Sequence, residues 1–121
     1  MYGKDEGEWE RLAKYMKVND LHSSNNKWIV QCPRIYNRLT PRVVKSFAEI
    51  LTNFWAPLFK ATLLSEEERA VDPLAQFLAV LSGFDSVDDE SHSDLPLSSM
   101  SADKWTSSDN PSYGKAFSFV L

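Results

Sequence analysis

The sequence contains little cysteine and no long apolar run. Cys32 is the only cysteine among 121 residues, so no disulfide can form within the chain and a reducing compartment is expected. No apolar run approaches the roughly 18 residues that span a bilayer, and the first residues are polar and acidic, unlike a secretory leader. We therefore expect a cytoplasmic protein without a transmembrane segment, folded as a single domain over residues 1–121.

Basic charge is scarce in the second half of the chain. The formal net charge is −4, and residues 64–121 hold three Lys and Arg against eleven Asp and Glu. Nucleic-acid binding calls for a clustered basic face, so the charge distribution argues against a nucleic-acid partner. The hydrophobic content of 43% and the aromatic content of 12% are ordinary for a globular core.

Two short apolar runs predict buried strands, the first over Trp28–Cys32 and the second over Phe84–Val87. The first run has two β-branched residues, as is typical of a strand covered by helices, and Pro33 is expected to end it. Helical patterns lie before and between the strands, beginning with Glu8–Met16. Because helices separate the strands, the pair should be parallel, which predicts an α/β fold.

Local signals predict where the later helices begin and end. Thr40-Pro41 has the form of an N-cap followed by proline at the first helical position. An apolar stripe at helical period follows it, and Pro57 is expected to kink or end that helix near Ala56.

Two further helix starts precede the second strand. Ser65 to Glu68 has the form of a capping box, and Asp72-Pro73 repeats the pairing of a cap with proline. Ser82-Gly83 is expected to end the last of these helices, with Gly83 as a left-handed cap.

Four acidic residues lie at the end of the second strand and just behind it: Asp85, Asp88, Asp89 and Glu90. Adjacent carboxylates are not buried unless they are paired or bound, so the strand is expected to deliver them to a cleft at the carboxyl edge of the sheet. A solvated acidic loop is the alternative. A divalent-cation site is a further hypothesis, but its residues match no recognised ligand spacing: Asp88, Asp89, Glu90, His92 and Asp94.

Arg34 is placed at the same edge by the end of the first strand. Its guanidinium suits either a loop carboxylate or an anionic ligand such as a phosphate. A structural ion pair is the alternative to direct contact with a ligand.

The end of the sequence lacks regular patterning until its last residues. Residues 91–112 contain eight serines and two prolines, which predicts a long Ser-rich surface loop. A helical stripe resumes at Tyr113 and stops at Leu121 without a cap, from which we expect the chain to be truncated.

Three segments carry a family resemblance, in matching order. Gly83 to Ser91 (GFDSVDDES) resembles a segment of AMP deaminases. Trp28 to Tyr36 (WIVQCPRIY) resembles the strand "W-[LM]-[IV]-Q-V-P-R-[IL]-[YF]" of that family, with Cys32 in place of Val, and Asn110 to Tyr113 resembles its "N-P-S-Y". Tyr2-Gly3 followed by Glu8-Trp9 is similar to its turn and helix start.

The resemblance implies an internal part of a (β/α)₈ barrel, with about two parallel strands and their helices, since a complete barrel needs about 250 residues. It implies zinc-dependent hydrolysis of a C–N bond, which converts AMP to IMP and ammonia in purine salvage. It also implies that this chain alone is inactive, because neither the family's metal-ligand motifs nor its proton donor is in the sequence. It implies no catalytic and no metal residue here. The ligand-lining role falls on Ser86, Val87, Asp88 and Asp89.

Two hypotheses from different classes follow. In the first, the chain is part of an AMP deaminase that is a homo-oligomer in its full-length form and whose reacting groups lie on other sequence. In the second, it is a non-catalytic module that associates with a full-length deaminase.

Overall fold

The computed structural model describes residues 1–86, 101–106 and 109–112. Within these residues, five α-helices, two strands and one 3₁₀ turn follow one another along the chain. In order they are α1 (Glu8–Val18), β1 (Trp28–Gln31), α2 (Tyr36–Leu39), α3 (Phe47–Thr62), α4 (Glu66–Val71), α5 (Pro73–Val80), β2 (Leu81–Asp85) and the 3₁₀ turn Ala102–Lys104. None of the described helices is long and apolar enough to cross a membrane.

The first turn of α1 holds the amino-terminal residues in place. Glu8 Oε2 accepts hydrogen bonds from the backbone N–H groups of Tyr2, Gly3 and Lys4, the shortest at 2.7 Å from Gly3. Gly3 has a φ of 69°, which favours glycine, and its carbonyl accepts a bond from Asn53 Nδ2. These contacts give a physical reason for the Tyr2-Gly3 turn that precedes Glu8.

The two strands form a parallel pair, as the sequence predicts. Ile29 faces Gly83, Val30 faces Phe84, and Gln31 faces Asp85, with an irregularity between Trp28 and Ile29. The backbone N–H of Cys32 adds a bond of 2.7 Å to the carbonyl of Asp85, so pairing reaches the carboxyl end of both strands.

The main core lies between one face of this sheet and helices α1, α3 and α5. Trp9, Phe54, Phe77 and Val30 are all buried there. The indole N–H of Trp9 donates to the carbonyl of Phe54 at 2.8 Å, and the two rings meet edge to face with centroids 5.2 Å apart. The described helices of this core therefore cover one face of the sheet.

The predicted helix start at Thr40-Pro41 is wrong. Helix α3 begins at Phe47, and Ser46 is its N-cap. The Ser46 hydroxyl accepts the N–H of Glu49 at 3.3 Å, while the Glu49 carboxylate accepts the N–H of Lys45 at 2.8 Å. Ser46 and Glu49 form a second Ser-x-x-Glu signal, in which the Ser46 hydroxyl satisfies the N–H of Glu49 in the first turn of the helix.

Pro57 does not end its helix, although an end there was one of the two outcomes predicted for it. Helix α3 continues to Thr62 with Pro57 inside it. A proline removes the bond to the carbonyl four residues back, but Phe54, Leu58 and Ala61 pack into the core on both sides of it. Helical stability in proteins comes largely from such packing, and here it outweighs the lost bond.

Gly83 is also not the helix cap that was predicted. Helix α5 ends at Val80 and β2 follows at once from Leu81, so Gly83 lies inside a strand that begins three residues earlier than expected. The strand begins early because its pairing with β1, a contact between distant parts of the chain, already starts at Leu81, opposite Trp28.

The helix starts at Ser65 and Asp72 are confirmed. Ser65 and Glu68 form the complete capping box, and the Asp72 carboxylate accepts the N–H of Ala75 at 2.7 Å, with Pro73 at the first helical position.

Candidate functional site

A cavity of about 380 Å³ opens beside the carboxyl ends of both strands. Its walls come from the loop after β1, the end of β2, helix α3 and residues 110 and 111. Most of the lining is apolar, and the polar side chains in it are those of Arg34, Ser86 and Asn110, beside the Tyr2 and Tyr36 phenols and the Cys32 thiol. Concave sites with a few polar groups are typical of small-molecule binding.

Arg34 joins the loop after β1 to residues distant in sequence. Its Nη2 donates to the carbonyl of Pro111 at 2.6 Å, and its own carbonyl accepts a bond from Asn110 Nδ2 at 2.8 Å. Asn110 Oδ1 in turn accepts the backbone N–H of Asn37 at 3.0 Å. The Asn110 amide thus uses both its donor and its acceptor to hold the two segments together.

A second apolar cluster anchors the 3₁₀ turn beside this loop. Trp105 is buried against Tyr36, Val44 and Phe47. The Trp105 carbonyl accepts the Tyr36 hydroxyl at 2.8 Å and the backbone N–H of Phe47 at 3.1 Å. Of the predicted surface loop over 91–112, the structure describes residues 101–106 and 109–112, and Trp105 and Ser112 are buried there.

The structure brings two of the predicted ligand-lining residues to one cavity. Arg34 and Ser86 are both half-buried and both line it. Val87, Asp88 and Asp89 lie outside the described residues, as do Glu90, His92 and Asp94. Whether any of these side chains meets a ligand therefore stays a prediction.

Sequence reasoning missed a polar pair at the ends of the strands. Gln31 and Asp85 are register partners, and both are exposed. The strand prediction for Trp28–Cys32 treated the run as apolar, although Gln31 interrupts it near its end. A polar residue at the same place in each strand is the signal that would have identified the pair.

Cys32 lies between the cavity and the core, where its thiol is poorly reactive. Burial is the main reason that its pKa is raised to about 11, and the nearby Asp85 carboxylate raises it further, while the amino-terminal ammonium acts in the opposite direction. The thiolate is the nucleophile and the metal ligand, so this cysteine is not suited to either role at neutral pH.

A metal centre does not fit the described residues. Within 1–86, 101–106 and 109–112, no three His, Cys, Asp or Glu side chains are grouped so that they could hold a metal ion. No chemical step is therefore assigned to a metal on this part of the chain.

The fold and the position of the cavity are typical of α/β proteins that bind small ligands. A parallel α/β unit with a cleft at the carboxyl ends of its strands is the arrangement in which α/β proteins bind small ligands. The family model for AMP deaminase matches residues 1–120, and this chain belongs to the AMP deaminase family.

Individual relatives agree along nearly the whole sequence. AMP deaminase 3 of Mus musculus is 43% identical over 117 residues, which cover 93% of this chain and 15% of the relative. AMP deaminase of Arabidopsis thaliana is 40% identical over 121 residues, covering 93% and 14%. AMP deaminase 1 of Homo sapiens is 38% identical over 117 residues, covering 93% and 15%. The chain thus spans about one seventh of the length of these relatives.

Proposed function

We propose that this chain forms part of the catalytic barrel of an AMP deaminase and supplies one wall of its substrate cleft. The observation that carries the proposal is the match to the AMP deaminase family over residues 1–120. The reaction is hydrolytic: water adds to the purine carbon that bears the amino group, the C–N bond breaks, and AMP becomes IMP and ammonia. The chain's role in it is to bind and orient AMP.

In the part of the chain that the structure describes, helices cover only one face of the sheet, which supports a barrel. In a doubly wound sheet helices cover both faces, whereas in a (β/α)₈ barrel they form an outer ring and the other face lines the interior. Here α1, α3 and α5 pack on the face that carries Val30, while Ile29 on the other face is 66% exposed. We therefore propose that the two strands are neighbours in a barrel wall.

The carboxyl edge of this wall is the proposed substrate side. Arg34 and Ser86 meet at the cavity there, and Val87, Asp88 and Asp89 follow directly in sequence. We assign all five to the lining of the AMP cleft, where Arg34 supplies positive charge and the others supply backbone and side-chain hydrogen bonds.

The reacting groups belong to other sequence in this proposal. Zinc is part of it for the complete enzyme only, because the described residues do not fit a metal centre. A cytoplasmic location and a homo-oligomeric full-length enzyme belong to the same proposal. We expect the isolated 121-residue chain to release no ammonia from AMP, with or without added zinc.

The test is a chimeric enzyme in which residues 1–120 replace the matching segment of mouse AMP deaminase 3. Because the segment is 43% identical to the one it replaces, we expect the chimeric enzyme to release ammonia from AMP. The unmodified mouse enzyme and the isolated chain are the controls. A chimeric enzyme that melts cooperatively but releases no ammonia would contradict the proposal, as would turnover by the isolated chain.

A further inference from the structure

Among the described residues, helices cover one face of the sheet, and the other face ends in two polar side chains at the carboxyl edge. Gln31 is the last residue of β1 and Asp85 is the last residue of β2. They are partners in the parallel register, and neighbouring strands lie about 4.8 Å apart. The carboxamide and the carboxylate therefore start from adjacent backbone positions at the carboxyl edge.

Alternation along the strands gives the face on which they lie. Val30 is buried against the helices, and its partner Phe84 meets the rings of Trp9 and Phe54. Successive side chains of a strand point to opposite faces, so Gln31 and Asp85 lie on the face away from the helices. That face is open at Gly83, where a Cβ atom would meet nothing within 4 Å.

By the same alternation, Asp85 and Ser86 lie on opposite faces of the sheet, although only Ser86 was predicted to line the ligand. Ser86 lines the cavity together with Phe84, Phe54 and Trp55, on the helix side of the sheet. In a closed barrel the helix-free face is the interior. Of these two neighbours, Asp85 is thus the one whose position lies on the interior face.

The two side chains differ in how they can hydrogen-bond a purine. An ionised carboxylate only accepts hydrogen bonds, whereas a carboxamide both donates and accepts and can turn over to suit its partner. The six-position of AMP carries an amino group, which donates, and the same position of IMP carries an oxygen, which accepts. A carboxylate facing this position distinguishes the two bases, and a carboxamide does not.

We propose that the AMP cleft extends past the strand ends from the cavity that Ser86 lines to the interior face, where Gln31 and Asp85 form its base-recognition pair. In this pair Asp85 accepts a hydrogen bond from the purine amino group and disfavours the oxo product. This assignment rests on the proposed function of the chain. Gln31 binds a ring nitrogen beside it. Asp85 thereby favours binding of the amino purine and release of the product.

The experiment compares AMP with IMP in the chimeric enzyme and in its Asp85→Asn, Gln31→Leu and Glu67→Gln variants. The KM for AMP and the inhibition constant for IMP are measured for each variant. If the chimeric enzyme releases no ammonia, equilibrium dialysis of the same variants with each labelled nucleotide gives the dissociation constants instead. Glu67 is an exposed carboxylate on α4 and is the matched control for loss of charge.

Asp85→Asn keeps the shape of the side chain but adds a hydrogen-bond donor. The affinity for AMP should therefore fall by a factor of roughly ten or more, while the affinity for IMP stays the same or increases. Gln31→Leu should weaken both nucleotides by a similar factor, and Glu67→Gln should change neither. Equal changes for AMP and IMP in Asp85→Asn would overturn the assignment, because general damage to the cleft does not distinguish them. A folded chimera that releases no ammonia contradicts the proposed function alone. The Gln31 and Asp85 assignment is then tested separately by the AMP and IMP dissociation constants from dialysis.

Discussion

The thiol of Cys32 shows how a residue's chemistry depends on its surroundings. The family strand that this segment resembles has Val at this position, and Cys32 packs, partly buried, against the main core. Burial and the Asp85 carboxylate disfavour the thiolate. The side chain therefore behaves as a small apolar group, as free cysteines in cores commonly do.

We predict that Cys32 reacts slowly with a thiol reagent that requires the thiolate. With a pKa raised from 9.0 to about 11, the thiolate fraction at pH 8 falls roughly 100-fold, and the labelling rate should fall at least as much. Raising the pH increases the thiolate fraction, so the rate should climb until about pH 11.

Labelling of the same chain in denaturant is the control, because Cys32 is its only cysteine. Native-state labelling as fast as in denaturant, with a midpoint near pH 9, would contradict the assigned burial.

At the scale of elements, α3 shows two signals competing for one helix start. Thr40-Pro41 and Ser46 both resemble caps, but only Ser46 precedes the residues that pack on the core, beginning with Phe47. Val44, between the two signals, is itself fully buried outside any helix. The chain therefore uses the cap that lies next to the packed face.

We predict that Ser46→Ala destabilises the chimeric enzyme by about 1 kcal/mol, because the Glu49 N–H loses its hydroxyl acceptor. Ser46→Asp should retain most of the stability, since aspartate is an equally good N-cap. Denaturant unfolding measures both variants. Equal loss in the two variants would show that Ser46 acts by packing and not as a cap.

At the scale of the whole molecule, exposed apolar surface of the described residues dominates the behaviour of the isolated chain. Ile29 on the face away from the helices is 66% exposed, Phe84 on the helix side is still 43% exposed, and the apolar cavity lies at the carboxyl edge of the sheet. Both strands also have an unpaired edge in the described sheet. Such surfaces favour self-association.

We predict that the isolated chain binds a hydrophobic dye and self-associates, while Ile29→Lys reduces both effects. The lysine places a charge on the open face, which removes apolar surface and opposes pairing of edges. Dye fluorescence and light scattering are the measurements, with Glu67→Gln as the control, because it changes the net charge by the same +1. A monomeric chain that melts cooperatively without binding dye would show that the open face needs no further sequence to cover it.

Several features could be predicted from the sequence because their signals are local. The capping box at Ser65, the helix start at Asp72-Pro73 and the first strand depend on residues within a few positions of one another. The three motif segments likewise identified the family without any knowledge of contacts. Two of the residues predicted to line the ligand, Arg34 and Ser86, lie at one cavity, and their contact with a ligand stays a prediction.

Only the tertiary structure decided the rest, because it depends on contacts between residues far apart in the chain. Helix α3 continues past Pro57 because it packs against the core, and Gly83 lies in β2 because that segment pairs with β1. Asn110 meets Arg34 across 76 residues. The register of the two strands places Gln31 beside Asp85, and neither local propensity nor motif spacing contains that register.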